Sequence, residues 1–425
     1  MKRVNLPDFD GVPLDTRTIL HDRLNIETKE RSNLFPWNGQ FSPQLIEAFL
    51  QTYAARGSFV LDPFLGSGTV LHEAGRLGHS AFGVEVNPAA FKMAAVYRFL
   101  NVSAPSRQDA IADADERINS AVPETLSLFR SHQHSPGLTA KRSLTEQARL
   151  ADEPLCRSLL EALVVLLNYG DKELTTAGVL TTWRKLRYRV IALPQTSALI
   201  ELANCDARRL PLPDGKVDLV VTSPPYVNVF NYHQQYRRSV EALGWNMLEV
   251  AKSEIGSNRK HRGNRFLTII QYCIDMAAVL GEVRRVCKPR CRVIVVVGRE
   301  SNVRKTKFFN GELMARLAVR AVGYRLESRQ ERVFQNRFGE MIFEDILHLV
   351  ATNAKPTSSP TQIARESLEA ARHRAPEESI PDLESALEKV GEVMASPLYC
   401  SSAAVAEAPS RMRKEVVNGA AYTPP

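Results

Sequence analysis

The chain has 425 residues and a formal net charge of +8 at pH 7, so it is long enough for an enzyme-sized domain with a large core. It contains no run of eighteen apolar residues, and its basic N-terminal segment lacks the apolar stretch of a secretion signal. Six scattered cysteines show no paired spacing, which favours reduced thiols and implies no metal. We expect a soluble, cytoplasmic protein.

The positive charge is concentrated before the C-terminal segment. Residues 352–425 carry 8 basic and 10 acidic side chains, a net of −2, so residues 1–351 carry +10. A basic surface favours a polyanionic partner such as nucleic acid, because phosphate contacts release bound counterions. Charge alone does not decide this, since many basic proteins bind no nucleic acid.

Two blocks of sequence predict an α/β sheet. Residues 1–30 form an N-terminal extension, and a Pro-containing loop then leads into an amphipathic helix from about residue 43. In the first block, 31–100, the predicted elements are a strand at 59–62, a glycine-rich turn at 66–68, a helix at 69–77 and a strand at 81–86. This succession is typical of the first half of a nucleotide-binding sheet.

The second block, 200–350, continues the sheet after a charged, mostly helical insertion at 101–199. Its predicted elements are a strand at 219–221, a helix at 267–287, a strand at 291–298, a helix near 311–321 and strands near 324–335 and 342–350. Residues 351–425 contain one weak helix pattern around 379–394 but have a composition that buries little apolar surface, so we expect a largely disordered tail. The predicted fold class is α/β, with a Rossmann-like sheet, a helical insertion and a disordered C-terminal tail.

The first candidate site is DPFLGSGT, residues 62–69, at the end of a predicted strand. Gly66 and Gly68 lack the side chains that would keep a nucleotide-like cofactor away from the backbone. Glu85 ends the next strand, where a carboxylate can accept hydrogen bonds from two ribose hydroxyls. Leu71 and His72 follow where a third glycine would be expected, so the turn favours a cofactor without a pyrophosphate and argues against a nicotinamide oxidoreductase.

The second candidate site is TSPPY, residues 222–226, directly after the apolar strand VDLVV. Consecutive prolines fix the backbone and donate no hydrogen bonds, so the preceding carbonyl groups project as free acceptors. The lone pair of an exocyclic amine is delocalised into its ring, and the Ser223 hydroxyl and Pro224 carbonyl can orient that amine toward an electrophilic methyl group. Tyr226 offers a face for a flipped base. The structural alternative is a proline-rich turn with Tyr226 in the core.

The two motifs together resemble the cofactor-binding and catalytic motifs of DNA amino-methyltransferases, the enzymes that methylate cytosine N4 or adenine N6. Residues 35–50, residues 204–211 and the predicted elements that end the second block are similar to further parts of this family. The resemblance covers about 31–100 and 200–350, and it implies S-adenosyl-L-methionine as cofactor. Arg290 and Cys291 depart from it, because the family usually has glycines after the Lys-Pro pair.

The resemblance also implies roles for individual residues. It assigns the catalytic pocket to Ser223, Pro224, Pro225 and Tyr226, the ribose to Glu85, and the adenine to Asp206. The other implied cofactor-binding residues are Phe41, Asp62, Pro63, Phe64, Gly66, Ser67, Gly68, Thr69, Asn87 and Ala207. Ser at the head of the Pro-Pro-Tyr motif is commoner among N4-cytosine enzymes, which favours cytosine and keeps adenine N6 as the alternative.

Double-stranded DNA is the expected partner, and the helical insertion and a basic loop are candidates for contacting it. The candidate residues are Tyr232, Arg237, Lys252, Arg259, Lys260, Arg262 and Arg265. Their charge predicts phosphate contacts, whereas base recognition needs side chains positioned in a groove. A solvated surface loop is the alternative. A cognate restriction endonuclease or another defence-system protein is a further expected partner.

Three other functions are compatible with parts of this sequence to different degrees. Methylation at cytosine C5 needs an attacking cysteine, and the chain has no Pro-Cys pair. An RNA methyltransferase, for example one acting on the amino group of a tRNA guanine, would use nearly the same two motifs and stays open. A non-catalytic module that binds nucleic acid is disfavoured by the complete SPPY segment.

Overall fold

The computed structural model describes residues 9, 11–122, 136–171, 173–227, 232–256, 261–336 and 339–399. The strands are β1 Phe59–Asp62, β2 Ser80–Val84, β3 Ile200–Ala203, β4 Val217–Thr222, β5 Cys287–Gly298, β6 Glu300–Val303, β7 Thr306–Phe309, β8 Arg325–Gln335 and β9 Met341–Val350. The helices are α1 His21–Asn25, α2 Pro43–Tyr53, α3 Thr69–Arg76, α4 Pro88–Ala95, α5 Ala104–Ala121, α6 Pro136–Leu150, α7 Pro154–Leu166, α8 Thr176–Ala192, α9 Arg237–Ala242, α10 Met247–Ser253, α11 Leu267–Val286, α12 Asn310–Arg316, α13 Pro360–Arg372 and α14 Ile380–Glu388.

One seven-stranded sheet has the order β3-β2-β1-β4-β5-β9-β8. Strands β1 to β5 pair in parallel, whereas β9 is antiparallel to both β5 and β8. The order reverses between β1 and β4, and open α/β sheets bind ligands outside the carboxyl ends of their strands at such a point. The predicted Rossmann-like sheet is confirmed, and both sequence motifs stand at this point.

Apolar residues alternate between two hydrophobic clusters along the central strands. In β4, Leu219 and Val221 belong to one cluster while Val217 and Val220 belong to the other. The first cluster includes side chains of α2, α3 and α4, and the second includes side chains of α11 and α12. Both faces of the sheet are therefore covered by helices, which explains why the central strands are almost entirely apolar.

The helical insertion consists of α5 to α8 and joins the first cluster. Leu160 and Leu163 of α7 are buried in the same cluster as Phe91 of α4. The buried Arg107 guanidinium donates to the carbonyls of Val102 (3.0 Å) and Leu193 (2.5 Å), near the two ends of the insertion. The insertion thus packs on the sheet domain rather than forming a separate core.

The N-terminal extension covers an edge of the sheet. The Asp15 amide donates to the Arg329 carbonyl (2.8 Å), and the Val333 amide donates to the Asn25 side chain (2.7 Å). Both partners lie on β8, the last strand of the sheet order. These bonds satisfy backbone groups that an edge strand would otherwise expose.

The expectation of a largely disordered tail is wrong for residues 360–388, although the second helix of this segment lies within the weak helix predicted around 379–394. Helices α13 and α14 occupy this segment, and their Ile363, Leu368 and Leu383 side chains are fully buried in the second cluster. The Ser359 hydroxyl caps α13 by accepting from the Gln362 amide (3.1 Å). The charged composition hid a narrow apolar stripe that has a large surface to pack against. Residues 400–425 lie outside the described residues.

Candidate active site

The glycine-rich turn between β1 and α3 has positive backbone φ angles at Gly66 (53°) and Gly68 (93°). Glycine adopts this left-handed conformation without the cost that a Cβ imposes. A Cβ at Gly68 would lie 2.7 Å from the Tyr97 ring, and one at Gly66 would lie 3.2 Å from Cδ1 of Trp37. A side chain at position 68 would therefore clash with the protein core. Gly66 instead lies against Trp37, which lines the pocket described below.

Glu85 presents a buried carboxylate just after β2. Its two oxygens accept hydrogen bonds from the Gly66 and Asn87 amides, each 2.8 Å long. One bond per oxygen leaves further acceptor positions on the carboxylate. Burial is the main cause that raises the pKa of Glu85 to about 7, and the nearby carboxylates of Asp62 and Glu254 add to it. A cation or hydroxyl donors beside Glu85 would favour its ionised form.

Asp62 was predicted to bind the cofactor, but it is not among the residues that line the pocket described below. Its Oδ1 accepts from the Thr222 hydroxyl (2.7 Å) and from the Phe64 amide (3.0 Å). The side chain is only 1% exposed, and burial raises its pKa to about 7. Asp62 thus connects the end of β1 to the end of β4 instead of facing a ligand.

A loop formed by residues 33–41 is hydrogen-bonded to the glycine-rich turn. The Ser67 hydroxyl donates to the Gln40 side chain (2.6 Å), and the Thr69 hydroxyl donates to the Asn33 side chain (2.9 Å). Asn33 in turn donates to the Phe41 carbonyl (2.7 Å). Ser67 therefore holds the loop, and the loop brings Phe41 to the pocket.

Aromatic rings hold the same loop from the other side. The Trp37 ring is stacked with Tyr232 and Tyr236, with centroids 6.0 and 6.3 Å apart and interplanar angles near 15°. The Tyr236 hydroxyl donates to the Pro36 carbonyl (3.3 Å). Stacked rings stabilise this arrangement beyond their area burial. Tyr232 lines the pocket, so a residue predicted to contact DNA is part of the pocket wall.

The SPPY turn directly follows β4. Ser223 and Pro225 line the pocket, whereas Pro224 faces a neighbouring apolar cavity. The Tyr226 ring packs on Gly298 at the end of β5, where a Cβ would lie 2.9 Å from the ring. The Ser223 and Tyr226 hydroxyl oxygens are 3.4 Å apart. Tyr226 therefore supports Ser223 from behind, and burial raises the pKa of its hydroxyl above the usual range.

The pocket lies where β1 and β4 end. The sequence-predicted residues that line it are Phe41, Pro63, Phe64, Gly66, Thr69, Glu85, Asn87, Asp206, Ala207, Ser223 and Pro225. Sequence reasoning assigned no site role to other lining residues, which include Trp37, Gln40, Cys205, Ser253, Glu254 and Ile255. Trp37 and Gln40 stand in the FPWNGQ segment that the family resemblance had already indicated, but no comparable signal marked Glu254.

Glu254 places a second buried carboxylate in the pocket wall. Its Oε2 lies 2.6 Å from Nδ1 of His233, and both side chains are almost fully buried. Its charge also raises the pKa of Glu85 and of Tyr232. Two carboxylates in a mostly apolar pocket favour a ligand with positive charge.

Asp206 lines the pocket but is already engaged by the protein. The Oδ1 atom accepts from the Arg208 amide (3.0 Å) and Nε (2.9 Å), and Oδ2 accepts from Arg208 Nη2 (2.6 Å) and the Tyr399 amide (3.1 Å). A carboxylate offers about four acceptor positions in total. The implied contact of Asp206 with adenine would therefore displace one of these bonds.

The other described members of the group of candidate DNA-contacting residues lie outside the pocket lining. Arg237 pairs with Glu241 (2.7 Å) and Lys252 pairs with Glu249 (2.9 Å), which reduces the charge each offers to phosphate. Arg262 and Arg265 are exposed. Arg259 and Lys260 lie outside the described residues. Among the members of this group that the structure describes, only Tyr232 therefore lies at the pocket.

Comparison with known proteins supports the family expected from the two motifs. Residues 16–96 match a family model described as DNA methylase. The Type II methyltransferase M.MjaII of Methanocaldococcus jannaschii is 38% identical over 61 residues, which are 14% of this chain and 12% of that protein. The chain thus matches about an eighth of its curated relative. The family match supports S-adenosyl-L-methionine as the cofactor.

Solved structures with a similar chain path are distant in sequence. A SAM-dependent methyltransferase of Methanosarcina mazei is 12% identical, with 71% of this chain and 96% of that chain covered and a TM-score of 0.32. An rRNA methyltransferase of Streptomyces viridochromogenes is 12% identical, with 83% and 96% covered and a TM-score of 0.28. Likeness at this level does not bear on the substrate.

Within the part of the chain that the structure describes, no helix combines the length and the apolar character that crossing a bilayer requires.

Proposed function

We propose that this protein transfers a methyl group from S-adenosyl-L-methionine to the exocyclic amino group of a base in DNA. The observation that carries the proposal is that Ser223 and Pro225 line the same pocket as Glu85 and Gly66. The groups suited to orient an amine and the groups suited to hold a nucleoside therefore face one cavity. The match of residues 16–96 to a DNA methylase model supports the same function.

The lining suits the proposed cofactor. Trp37, Phe41 and Phe64 supply apolar surface, and Glu85 offers acceptors for ribose hydroxyls. When bound, S-adenosyl-L-methionine would supply an electrophilic methyl group on a positively charged sulfonium. The carboxylates of Glu85 and Glu254 favour such a cation in an otherwise apolar pocket.

Ser223 would act by orienting the amine. Its hydroxyl can donate toward Tyr226 and keep its lone pairs available to accept a hydrogen from the amine. With the Pro224 carbonyl as a second acceptor, both amine hydrogens would be fixed and the nitrogen lone pair would point in one direction. Tyr226 is a positioning residue in this arrangement, since its ring is held against Gly298.

For the target base we propose cytosine N4, with adenine N6 as the alternative. Ser223 at the head of the motif supports cytosine, because the resembling family uses Ser there more often for N4 methylation. The geometry of the turn serves either exocyclic amine. A restriction endonuclease or another defence-system protein stays a predicted partner.

We further propose that DNA contacts an exposed face of α8 in the helical insertion. This helix carries four basic side chains and no acidic one. Positions four and seven apart share a helix face, so Arg184, Tyr188 and Ile191 lie together, with Lys185 beside them. Tyr188 is 75% and Ile191 56% exposed. Basic side chains around exposed apolar ones suit the phosphates and sugars of a DNA backbone.

Charge reversal on α8 tests this face. The slope of log affinity against log salt is negative, and each lost phosphate contact reduces its magnitude by about 0.9. Arg184→Glu with Lys185→Glu should therefore reduce the magnitude by about 1.8. The matched control reverses the charges of the exposed Lys216 and Lys355. Lys216 precedes the amino end of β4, whereas the pocket lies at the carboxyl ends of the strands. An unchanged slope in the α8 variant, or an equal loss in the control, would contradict the proposal.

Nucleoside mass spectrometry tests the activity itself. Unmethylated DNA and a matched tRNA sample are incubated with the protein and S-adenosyl-L-methionine. N4-methylcytosine in the DNA supports the leading proposal, and N6-methyladenine supports the alternative. Methyl groups only in the tRNA would contradict the DNA substrate, and cofactor binding without any product would favour a non-catalytic module.

A further inference from the structure

The last described segment of the chain, residues 394–399, returns to the sheet and contacts the outer side of the pocket wall. We call it the C-terminal strap. The Gln271 side chain donates to the Met394 carbonyl (3.0 Å), and the Ser396 amide donates to Asp275 (2.9 Å). Both partners lie on α11, so the strap is fixed along this helix before it reaches the pocket.

Arg208 is the centre of the contact between strap and pocket wall. Its side chain is 3% exposed and lies between the carboxylates of Asp206 (2.6 Å) and Asp275 (2.8 Å). It also donates to the carbonyls of Ser396 (2.7 Å) and Pro397 (2.9 Å). Together with the bond from Nε to Asp206, these contacts use all five N–H donors of the guanidinium. Loss of any partner would leave a buried N–H donor without an acceptor.

Tyr399 extends the connection to the backbone of Glu85, another residue that lines the pocket. Its hydroxyl donates to Oδ1 of Asn204 (3.0 Å), and the Asn204 amide nitrogen donates to the carbonyls of Glu85 (2.7 Å) and Val86 (3.2 Å). The backbone of Glu85 is therefore linked to the strap through a single side chain. The Tyr399 amide contacts Asp206 at the same time.

We propose that the C-terminal strap builds the Asp206 side of the cofactor pocket, and that Asp206 is a positioning residue instead of a direct adenine contact. All acceptor positions of Asp206 are filled by Arg208 and Tyr399, and its side chain is 3% exposed. Its carboxylate therefore holds the residues beside it, Cys205 and Ala207, at the pocket surface. This inference rests on the proposed cofactor pocket.

The test uses full-length protein and two ligands: S-adenosylhomocysteine, the demethylated cofactor, and its inosine analogue, in which oxygen replaces the adenine amino group. Tyr399→Phe removes the hydroxyl bond to Asn204 and should weaken both ligands about threefold. Ser396→Pro removes the amide that Asp275 accepts and should weaken both about tenfold. Met394→Ala is the control, because this strap side chain is 73% exposed and should leave both affinities unchanged.

Asp206→Asn separates positioning from direct contact. A positioning residue predicts that both ligands weaken by the same factor, so their affinity ratio stays that of the unchanged protein. A direct contact with the adenine amino group predicts a selective loss for the adenosine compound, which would overturn the inference. Melting temperatures show whether each variant folds, and Tyr399→Phe keeps the test decisive if Ser396→Pro does not.

The outcomes also separate the strap from the pocket. Unchanged or tighter binding in folded Tyr399→Phe and Ser396→Pro would overturn the strap inference alone. Failure of the unchanged protein to bind either ligand would overturn the pocket assignment, and the strap inference with it.

Discussion

The Ser223 side and the Asp206 side of the pocket are built in different ways. On the Ser223 side, the groups proposed for chemistry lie within a few residues of the ends of β1 and β4. On the Asp206 side, the wall depends on Tyr399, which stands 193 residues further along the chain. The chemical groups are thus local to a strand end, whereas the shape of the pocket depends on contacts between distant segments.

The largest expected effect is on the rate of methyl transfer and comes from a change on the Ser223 side alone. Ser223→Ala removes one acceptor for the amine and should lower the rate of methyl transfer about 100-fold or more. Affinity for S-adenosylhomocysteine should stay within about twofold, because the hydroxyl is proposed to contact the base and not the cofactor. Single-turnover methylation and calorimetric titration measure the two effects.

Ser120→Ala is the matched control, since the Ser120 hydroxyl is exposed and bonds only within α5. It should change neither quantity. A strong loss of cofactor affinity in Ser223→Ala would place this residue in the cofactor site and remove the contrast between the two sides.

The sequence predicts the features of the fold and the pocket that depend on local patterns, and it misses those that depend on contacts between distant segments. The strands, the glycine-rich turn and the SPPY turn depend on local patterns, and the structure brings Ser223 and Glu85 to one pocket as those patterns suggested. Asp62 and Tyr226 belong to the same motifs but contact Thr222 and Gly298, respectively, and do not line the pocket. A motif identifies a turn, but which of its side chains face the ligand depends on the neighbouring strands.

The features that the sequence did not predict depend on contacts between residues that are distant along the chain. Trp37 reaches the pocket because Tyr232 and Tyr236 stack on it, and Glu254 reaches it beside His233. Helix α13 has only a narrow apolar stripe, so its composition suggested disorder until a packing surface was present. Tertiary packing therefore decides these features rather than local propensity.

The second expected effect concerns the link between the two sides, Glu85. Glu85→Gln removes the negative charge proposed to hold the ribose and attract the cation, and it should weaken the cofactor about 30-fold. Because the pKa of Glu85 is raised to about 7, the unchanged protein should bind the cationic cofactor more tightly as pH rises from 6 to 8 and this carboxylate ionises. Titration calorimetry across this range measures both.

The variant should show a flatter pH profile than the unchanged protein. Some dependence should remain, since the pKa of Asp62 is also raised to about 7. Glu116→Gln, an exposed substitution on α5, is the control and should keep the full profile. An undiminished pH dependence in Glu85→Gln would assign the titration to Asp62 and leave Glu85 as a neutral hydrogen-bond acceptor.

The smallest of these effects is expected from a substitution at Gly298. This residue lies outside both motifs, yet a change there should affect the Ser223 side of the pocket. A Cβ at Gly298 would stand 2.9 Å from the Tyr226 ring, so Gly298→Ala must shift that ring and with it the Ser223 hydroxyl. Since misplacement by about 1 Å can cost as much as 100-fold, we expect about a 10-fold slower transfer. Cofactor affinity should be unchanged.

Gly281→Ala separates displacement of the ring from the general effect of adding a methyl group. A Cβ at Gly281 meets no atom within 4 Å, and Ala is the better helix former within α11. This control should keep its activity and melt at a slightly higher temperature. A full transfer rate in Gly298→Ala would mean that Tyr226 does not position Ser223, and the Ser223 side would then depend on local geometry alone.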